Sequence, residues 1–145
     1  MPGITVSVDI PAAPAEVWAD LSALDTHTEW MTDAHNVEYL SDRRQGAGPR
    51  IAVVTRLGPL RTTDVMEFTA WEEPVRMAVA HRGLFTGSGE FLLEAGGSGT
   101  CFTWSEEIRF PWFFGGPLGA WLARPVLRWV WRRNLSRLQA RFTAR

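Results

Sequence analysis

The strongest constraint on the fold of this chain is an alternation of apolar and polar residues that begins near residue 37 and continues, with interruptions, to residue 110. Alternation with a period of two is typical of strands with one buried face, because successive side chains point to opposite sides. It predicts six strands, at residues 37–41, 50–57, 61–71, 76–82, 87–94 and 100–110. The breaks are short and rich in turn residues, so consecutive strands are expected to pair antiparallel.

The N-terminal segment predicts one more strand and two short helices. Residues 4–10 alternate in the same way and predict a seventh strand. Pro14 suits the first turn of a helix, which is expected to end near Ala23. Residues 25–33 predict a second short helix, whose only large apolar residues are Trp30 and Met31.

The C-terminal segment predicts one long amphipathic helix. After Pro117, apolar residues recur at helical spacing to the end of the chain, at Leu127, Trp131, Leu135, Leu138 and Phe142. Pro125 is expected to kink or divide this helix, because proline removes an interior hydrogen bond.

These elements predict a single α+β domain over residues 1–145. A seven-stranded sheet with one apolar face must be covered, and the long helix is the obvious cover. A curved sheet wrapped around one helix is expected to leave a cavity for a small, mostly apolar molecule. Cys101 is the only cysteine and the N-terminus lacks a signal-peptide pattern, so a cytoplasmic protein is expected.

Four segments resemble the helix-grip (SRPBCC) superfamily, which includes START lipid-transfer domains, birch-pollen-allergen-like proteins and polyketide cyclase/dehydrases. They are ITVSVDIPAAPAEVWADLSALDTHTEWM, EEPVRMAVA, GGSGTCFTWSEEIRF and GPLGAWLARPVLRWVWRRNLSRLQARF. The resemblance implies a curved sheet around a C-terminal helix and a hydrophobic ligand such as a lipid, an isoprenoid or an aromatic polyketide. It leaves open whether the chain is a carrier or a polyketide cyclase/dehydratase, because a fold alone does not define a function.

The alternation also predicts which side chains face the cavity. Phe102, Trp104, Glu106 and Ile108 share one face of the last strand, and this face is bulkier and more apolar than the opposite one. The same reasoning, extended to the other strands and the helices, gives an expected ligand-binding set: Trp30, Tyr39, Val53, Met66, Phe68, Val79, His81, Phe91, Phe102, Trp104, Glu106, Trp121, Arg128 and Trp131.

Three residues of this set are candidates for proton transfer. Glu106 and His81 carry titratable groups on the inward face, and Tyr39 is the only phenol in the chain. The simpler alternatives are that Glu106 pairs with an arginine at the cavity mouth and that His81 is a core histidine. His27, His35 and the acidic residues around them match no strong metal pattern, so neither a metal nor a cofactor is expected.

The charge of the chain is unevenly distributed. Residues 115–145 carry seven arginines and no acidic residue, whereas residues 1–114 carry eight arginines and sixteen acidic residues. The basic helix is interpreted first as an amphipathic lid, with membrane or partner docking as an alternative and nucleic-acid binding disfavoured. The preceding PWFFGG segment is expected either to pack under this helix or to act as a hydrophobic gate at Gly115 and Gly116.

Overall fold

The computed structural model describes residues 3–23, 27, 29–31, 34–40, 48, 50–57, 59–83, 85–97 and 99–143. Its elements, in chain order, are β1 (Ile4–Ile10), α1 (Pro14–Leu21), β2 (Ala34–Tyr39), β3 (Arg50–Leu57), β4 (Leu60–Glu72), β5 (Arg76–Arg82), β6 (Thr86–Gly96), β7 (Gly99–Arg109), a 3-10 turn (Trp112–Phe114) and α2 (Gly116–Thr143).

The seven strands form one curved sheet in the order β1-β7-β6-β5-β4-β3-β2, with every neighbouring pair antiparallel. From β2 to β7, consecutive strands pair, as the short connections predict. β1 pairs with β7, so the first and last strands of the chain lie side by side. The predicted α+β helix-grip architecture is confirmed for the sheet and the long helix.

The short helices agree with the sequence only in part. α1 begins at Pro14 as predicted and buries Val17, Trp18 and Leu21 against the core. The predicted second short helix falls largely outside the described residues. In its described part, the amide of Met31 donates to the carbonyl of His27 at 2.8 Å, which is one helical turn.

α2 runs without a break from Gly116 to Thr143, so the expected division of the helix at Pro125 does not occur. Proline at 125 removes one backbone donor from the helix. Both Pro125 and Trp121, whose carbonyl loses that donor, are exposed, so water can hydrate the carbonyl.

The two halves of α2 are held very differently. The C-terminal half buries Val130, Trp131, Leu135, Leu138 and Phe142, whereas the first half buries only Gly116. At the C-terminal end, Arg141 donates two hydrogen bonds to Asp20 of α1, at 2.9 and 2.8 Å, and one to Glu29 at 2.9 Å. Gln139 donates to the carbonyl of Asp9 at 2.6 Å. One end of α2 is therefore fixed to β1 and α1, and the other rests over the sheet.

Candidate functional site: a cavity between the sheet and the long helix

A cavity of about 310 Å³ lies between the inner face of the sheet and α2. Strands β2 to β7 form its floor, and Phe110, Phe114 and α2 close it from above. The apolar lining is dominated by aromatic and aliphatic side chains: Met31, Val37, Ile51, Val53, Met66, Phe68, Met77, Val79, Phe85, Phe91, Trp104, Ile108, Phe110, Phe114, Ala123, Val126, Leu127 and Trp131. Such a lining suits an apolar ligand.

Aromatic rings pack the boundary between this cavity and the solid core. Trp104 of β7 stacks on Trp131 of α2 with ring centroids 5.1 Å apart, and Phe91 meets Trp104 edge to face at 5.5 Å. Trp30 meets the other edge of Trp104 at 6.1 Å. These rings join the sheet to the fixed half of α2 and leave the space under its first half open.

A hydrogen-bonded group of polar side chains interrupts the apolar lining. Nε2 of His81, on β5, lies 2.6 Å from Oε2 of Glu106, on β7. Trp104 Nε1 donates to the other carboxylate oxygen, Oε1, at 3.0 Å. Glu106 is only 8% exposed, so both of its oxygens are satisfied by protein donors in a buried position.

Glycine in the intervening strand makes the His81–Glu106 contact possible. β6 lies between β5 and β7, and its Gly89 is paired with both Glu106 and Val79. A Cβ at position 89 would collide with the Glu106 carboxylate. The absence of a side chain there lets Glu106 reach across β6 to the imidazole.

Asp64 of β4 adds a second buried carboxylate to the cavity wall. It is 7% exposed, and its Oδ2 accepts a hydrogen bond from Thr62 at 3.0 Å. Its Oδ1 is buried and has no hydrogen-bond partner among the described residues. A Cβ at Gly83 would collide with this oxygen, so a second glycine leaves room for a second carboxylate.

Burial and neighbouring negative charges shift the pKa of His81 in opposite directions. Burial lowers the pKa of His81, whereas the hydrogen bond and the negative charge of Glu106, together with the charge of Asp64, raise it. The net result is a raised pKa. Because Nε2 faces Glu106, Nδ1 is the ring nitrogen that is left for a ligand.

The expected ligand-binding residues divide into two groups. Nine lie in the cavity wall: Val53, Met66, Phe68, Val79, His81, Phe91, Trp104, Glu106 and Trp131. The other five lie elsewhere. Trp30 and Phe102 are wholly buried in the core, Tyr39 is half-buried beside it, and Trp121 and Arg128 are exposed on α2.

Two of these departures show what the sequence pattern does not specify. Phe102 has the same strand parity as Trp104 but lies nearer the start of β7, where it is wholly buried in the core. Trp121 is 60% exposed on α2 and does not line the cavity. The alternative interpretation of Glu106, as a mouth carboxylate paired with an arginine, is wrong among the described residues, where its partners are His81 and Trp104.

The sequence reasoning missed Asp64, Thr62 and Thr55 in the cavity wall. The signal that could have found them is the parity that selects Met66, Phe68 and Val53, because each missed residue lies an even number of positions away. His27 also lines the cavity, with Nε2 2.8 Å from the carbonyl of Leu21.

The sequence also raises the questions of a metal site and of a membrane-spanning helix. Within the part of the chain that the structure describes, no three His, Cys, Asp or Glu side chains are grouped to hold a metal ion. Asp25 and Asp33 lie outside the described residues, as does the side chain of His35. The helices that the structure describes include none with the length and apolarity that crossing a bilayer requires.

A long helix that closes a cavity over a seven-stranded antiparallel sheet defines the class of protein. The sequence matches the family described as polyketide cyclase / dehydrase and lipid transport over residues 1–144, and the chain belongs to this family. Comparison with curated proteins gives no significant match.

Solved structures share the fold at low sequence identity. TTHA0849 of Thermus thermophilus is 21% identical with a TM-score of 0.81, over 99% of this chain and 98% of its own. A START superfamily protein of Mycobacterium smegmatis is 14% identical with a TM-score of 0.74, over 98% of this chain and 97% of its own. XoxI of Bacillus cereus is 15% identical with a TM-score of 0.75, over 99% of this chain and 96% of its own. At these identities the likeness concerns the fold alone.

Proposed function

We propose that this protein binds a small hydrophobic molecule, such as a lipid, an isoprenoid or an aromatic polyketide, in the cavity between the sheet and α2, and acts as a carrier. The observation that carries the proposal is the open volume of about 310 Å³ inside an apolar lining. Natural cores are packed to crystal-like density, and an unfilled apolar space costs stability. A cavity of this size in a small domain is therefore consistent with a binding site.

Native mass spectrometry of the purified protein, followed by organic extraction, tests the carrier proposal. We expect a bound apolar molecule, or saturable binding of the neutral dye Nile red when the cavity is emptied. Met66→Trp, in the cavity wall, should block dye binding, whereas Trp121→Ala, on the exposed side of α2, should not. Absence of both a ligand and dye binding would exclude the proposal.

A second candidate, a polyketide cyclase/dehydratase, is favoured by the His81–Glu106 pair inside the cavity. A neutral imidazole that donates from Nε2 to Glu106 carries a free lone pair on Nδ1 and is oriented as a general base. Nδ1 would remove a proton from a methylene between two carbonyls. The resulting enolate carbon would bond to a second carbonyl carbon, whose oxygen would take the proton back. This C–C bond closes the ring, and loss of water, made of the hydroxyl and a hydrogen from the neighbouring carbon, would then leave a C=C bond in it.

Turnover of a poly-β-ketone tests the enzyme candidate. His81→Ala and Glu106→Gln should each lower kcat by about 100-fold or more without preventing substrate binding. Tyr39, which the sequence makes a third candidate, does not line the cavity, so Tyr39→Phe serves as the control and should retain turnover. Undiminished turnover in both cavity variants would rule out this proton-transfer scheme.

A further inference from the structure

The cavity wall combines two buried carboxylates, of Asp64 and Glu106, with the imidazoles of His27 and His81, and no arginine side chain lines it in the described part of the chain. We propose that the ligand carries a neutral hydroxyl group, which donates to the carboxylate of Asp64 and accepts from Nδ1 of His81. This inference rests on the proposed ligand-binding function and specifies the polar group of that ligand.

Asp64 supplies the first reason. More than nine-tenths of the residue is buried, it lines the cavity, and its carboxylate accepts one hydrogen bond among the described residues, from Thr62. A buried carboxylate can accept several hydrogen bonds, so a ligand that brings an O–H group gains a strong, charge-assisted one.

The position of His81 supplies the second reason. In the β4–β5 register Met66 lies opposite His81, and Asp64 is two residues from Met66 on the same face. Asp64 and His81 are therefore diagonal neighbours, at positions that are typically about 7–8 Å apart, with their Cβ atoms somewhat closer. One hydroxyl can contact both side chains across this gap. Its single proton goes to Asp64, so its oxygen accepts from Nδ1 when that nitrogen is protonated.

The charges of the wall supply the third reason. Asp64 and Glu106 are both acidic. Among the described residues of the wall, the basic side chains are His27 and His81. A ligand carboxylate would be desolvated beside two carboxylates, which disfavours fatty acids and other anions. The wall therefore discriminates between an alcohol and the acid of the same skeleton.

Calorimetric titration with three probes of one skeleton tests the inference: naphthalene, 2-naphthol and 2-naphthoate, at pH 7. We expect 2-naphthol to bind about tenfold more tightly than naphthalene and 2-naphthoate to bind more weakly than both. If naphthalene binds but 2-naphthol has no advantage, the hydroxyl site is excluded while the carrier proposal stands. If none of the three binds, the carrier proposal fails with it. If naphthalenemethylamine binds more tightly than 2-naphthol, the site prefers a cationic amine to a hydroxyl, and the inference is overturned.

Asp64→Asn removes the charge at nearly constant volume and should abolish most of the 2-naphthol advantage while naphthalene binding is unchanged. Gly83→Ala displaces the same carboxylate from outside the cavity and should have the same effect, which keeps the test decisive if Asp64→Asn does not fold. Glu67→Gln is the matched control, because Glu67 lies on the opposite face of β4, where Arg82 donates to it at 3.1 Å. An unchanged preference in both cavity variants contradicts the assignment.

A different observation carries a second inference. Large apolar side chains are exposed together on the 3-10 turn and along one side of the first half of α2; this outer face comprises Trp112, Phe113, Phe114, Leu118, Trp121, Leu122, Val126 and Trp129. Trp112 is 86% exposed, so the segment before α2 does not pack under the helix as one sequence interpretation expects. A contiguous apolar surface of this kind marks an interaction site.

The charges next to the outer face indicate what it meets. Arg128, Arg132 and Arg133 are exposed on the same helix, Arg133 lies 4.9 Å above the ring of Trp129, and residues 110–145 contain no acidic residue. We infer that the outer face docks on a membrane that carries anionic headgroups, with the rings and aliphatic side chains inserted among the lipids. Two copies of the chain that met through this face would bring like-charged arginines together.

The outer face is also continuous with the cavity. Phe114 and Val126 belong to both, since each is exposed and each lines the cavity. A molecule that leaves the bilayer at this face would reach the cavity past these two side chains. Docking therefore places the open end of the cavity against a source of apolar ligand.

Flotation with phosphatidylcholine vesicles, with and without phosphatidylserine, tests the docking. We expect binding to the anionic vesicles that weakens in high salt, and loss of about tenfold or more in affinity for the double variant Trp121→Ser and Leu122→Ser. Val75→Ser is the control, because Val75 is an exposed apolar residue in the turn before β5. Absence of flotation excludes the inference, as does a dimer in sedimentation equilibrium that the same double variant dissociates.

Discussion

At the residue scale, the polar groups of the cavity depend on two glycines in the sheet and its turns. Gly89 and Gly83 leave the space that the carboxylates of Glu106 and Asp64 occupy. Position 89 lies in β6, between β5 and β7. A residue with a Cβ there would separate Glu106 from His81. The identity of these glycines therefore determines which groups a ligand meets.

Gly89→Ala should destabilise the protein and break the His81–Glu106 contact. The new Cβ collides with the Glu106 carboxylate, and overpacking of this kind costs about 1–3 kcal/mol. Chemical denaturation measures the change in the free energy of unfolding. Gly96→Ala, at the end of the same strand, is the control, because its Cβ would meet open space. Equal stabilities of the two variants would contradict the steric argument.

The raised pKa of His81 predicts how stability depends on pH. The folded state holds the His81 proton more tightly than the unfolded chain, so the resulting stabilisation is complete below the ordinary pKa of about 6.5 and disappears as the pH rises through the raised value. We expect the stability advantage of the native protein over His81→Gln to decrease as the pH rises above about 6.5. An advantage that grows over this interval would reverse the sign and contradict the assignment.

Glu106→Gln separates the causes of that shift. The charge of Glu106 is lost while burial remains, so the pKa of His81 should fall. Nuclear magnetic resonance titration of the imidazole measures it, with His81→Gln used to assign the signal among the three histidines. Glu67→Gln, on the outer face of β4, is the control and should not change the pKa of His81.

At the element scale, α2 is one helix with two environments. Its C-terminal half is core, fixed by buried side chains and by Arg141, whose hydrogen bonds to Asp20 and Glu29 also raise the pKa of its guanidinium. Its N-terminal half covers the cavity with Ala123, Val126 and Leu127 and exposes apolar residues on the other side. A helix anchored at one end can move at the other without unfolding the core.

Arg141→Met should loosen this anchor. The change removes three hydrogen bonds, two of them to a carboxylate that is 9% exposed, and we expect a loss of about 1–3 kcal/mol, since the guanidinium itself is partly solvated. Thermal and urea denaturation measure the loss. Arg132→Met, at an exposed position on the same helix, should change stability by less than about 0.5 kcal/mol.

At the scale of the whole molecule, the sequence predicts the architecture better than it predicts the site. Alternation and helical spacing depend on local geometry, so β3, β5 and the antiparallel order from β2 to β7 follow from them directly. The same parity does not distinguish a residue in the solid core, such as Phe102, from one in the cavity wall, such as Trp104. That distinction depends on how far α2 lies from each part of the sheet, which no local pattern specifies. Asp64 has the same parity as Met66, but a search for apolar residues on the inner face passes over a carboxylate.

The division of the molecule into a fixed core and a movable cover predicts a pattern of hydrogen exchange. Amides of α2 from residue 131 to 142 should exchange slowly, because their exposure requires loss of the buried Trp131, Leu135 and Leu138. Amides from residue 119 to 129 should exchange faster by local opening, since almost no side chain of that half is fully buried. A ligand under the cover binds the closed state, so 2-naphthol should slow exchange in the first half and leave the second nearly unchanged. Exchange measured by mass spectrometry at fixed pH, with and without the probe, reports both halves in one experiment. A uniform rate along α2, or protection by the probe in its C-terminal half alone, would contradict a cover hinged at one end.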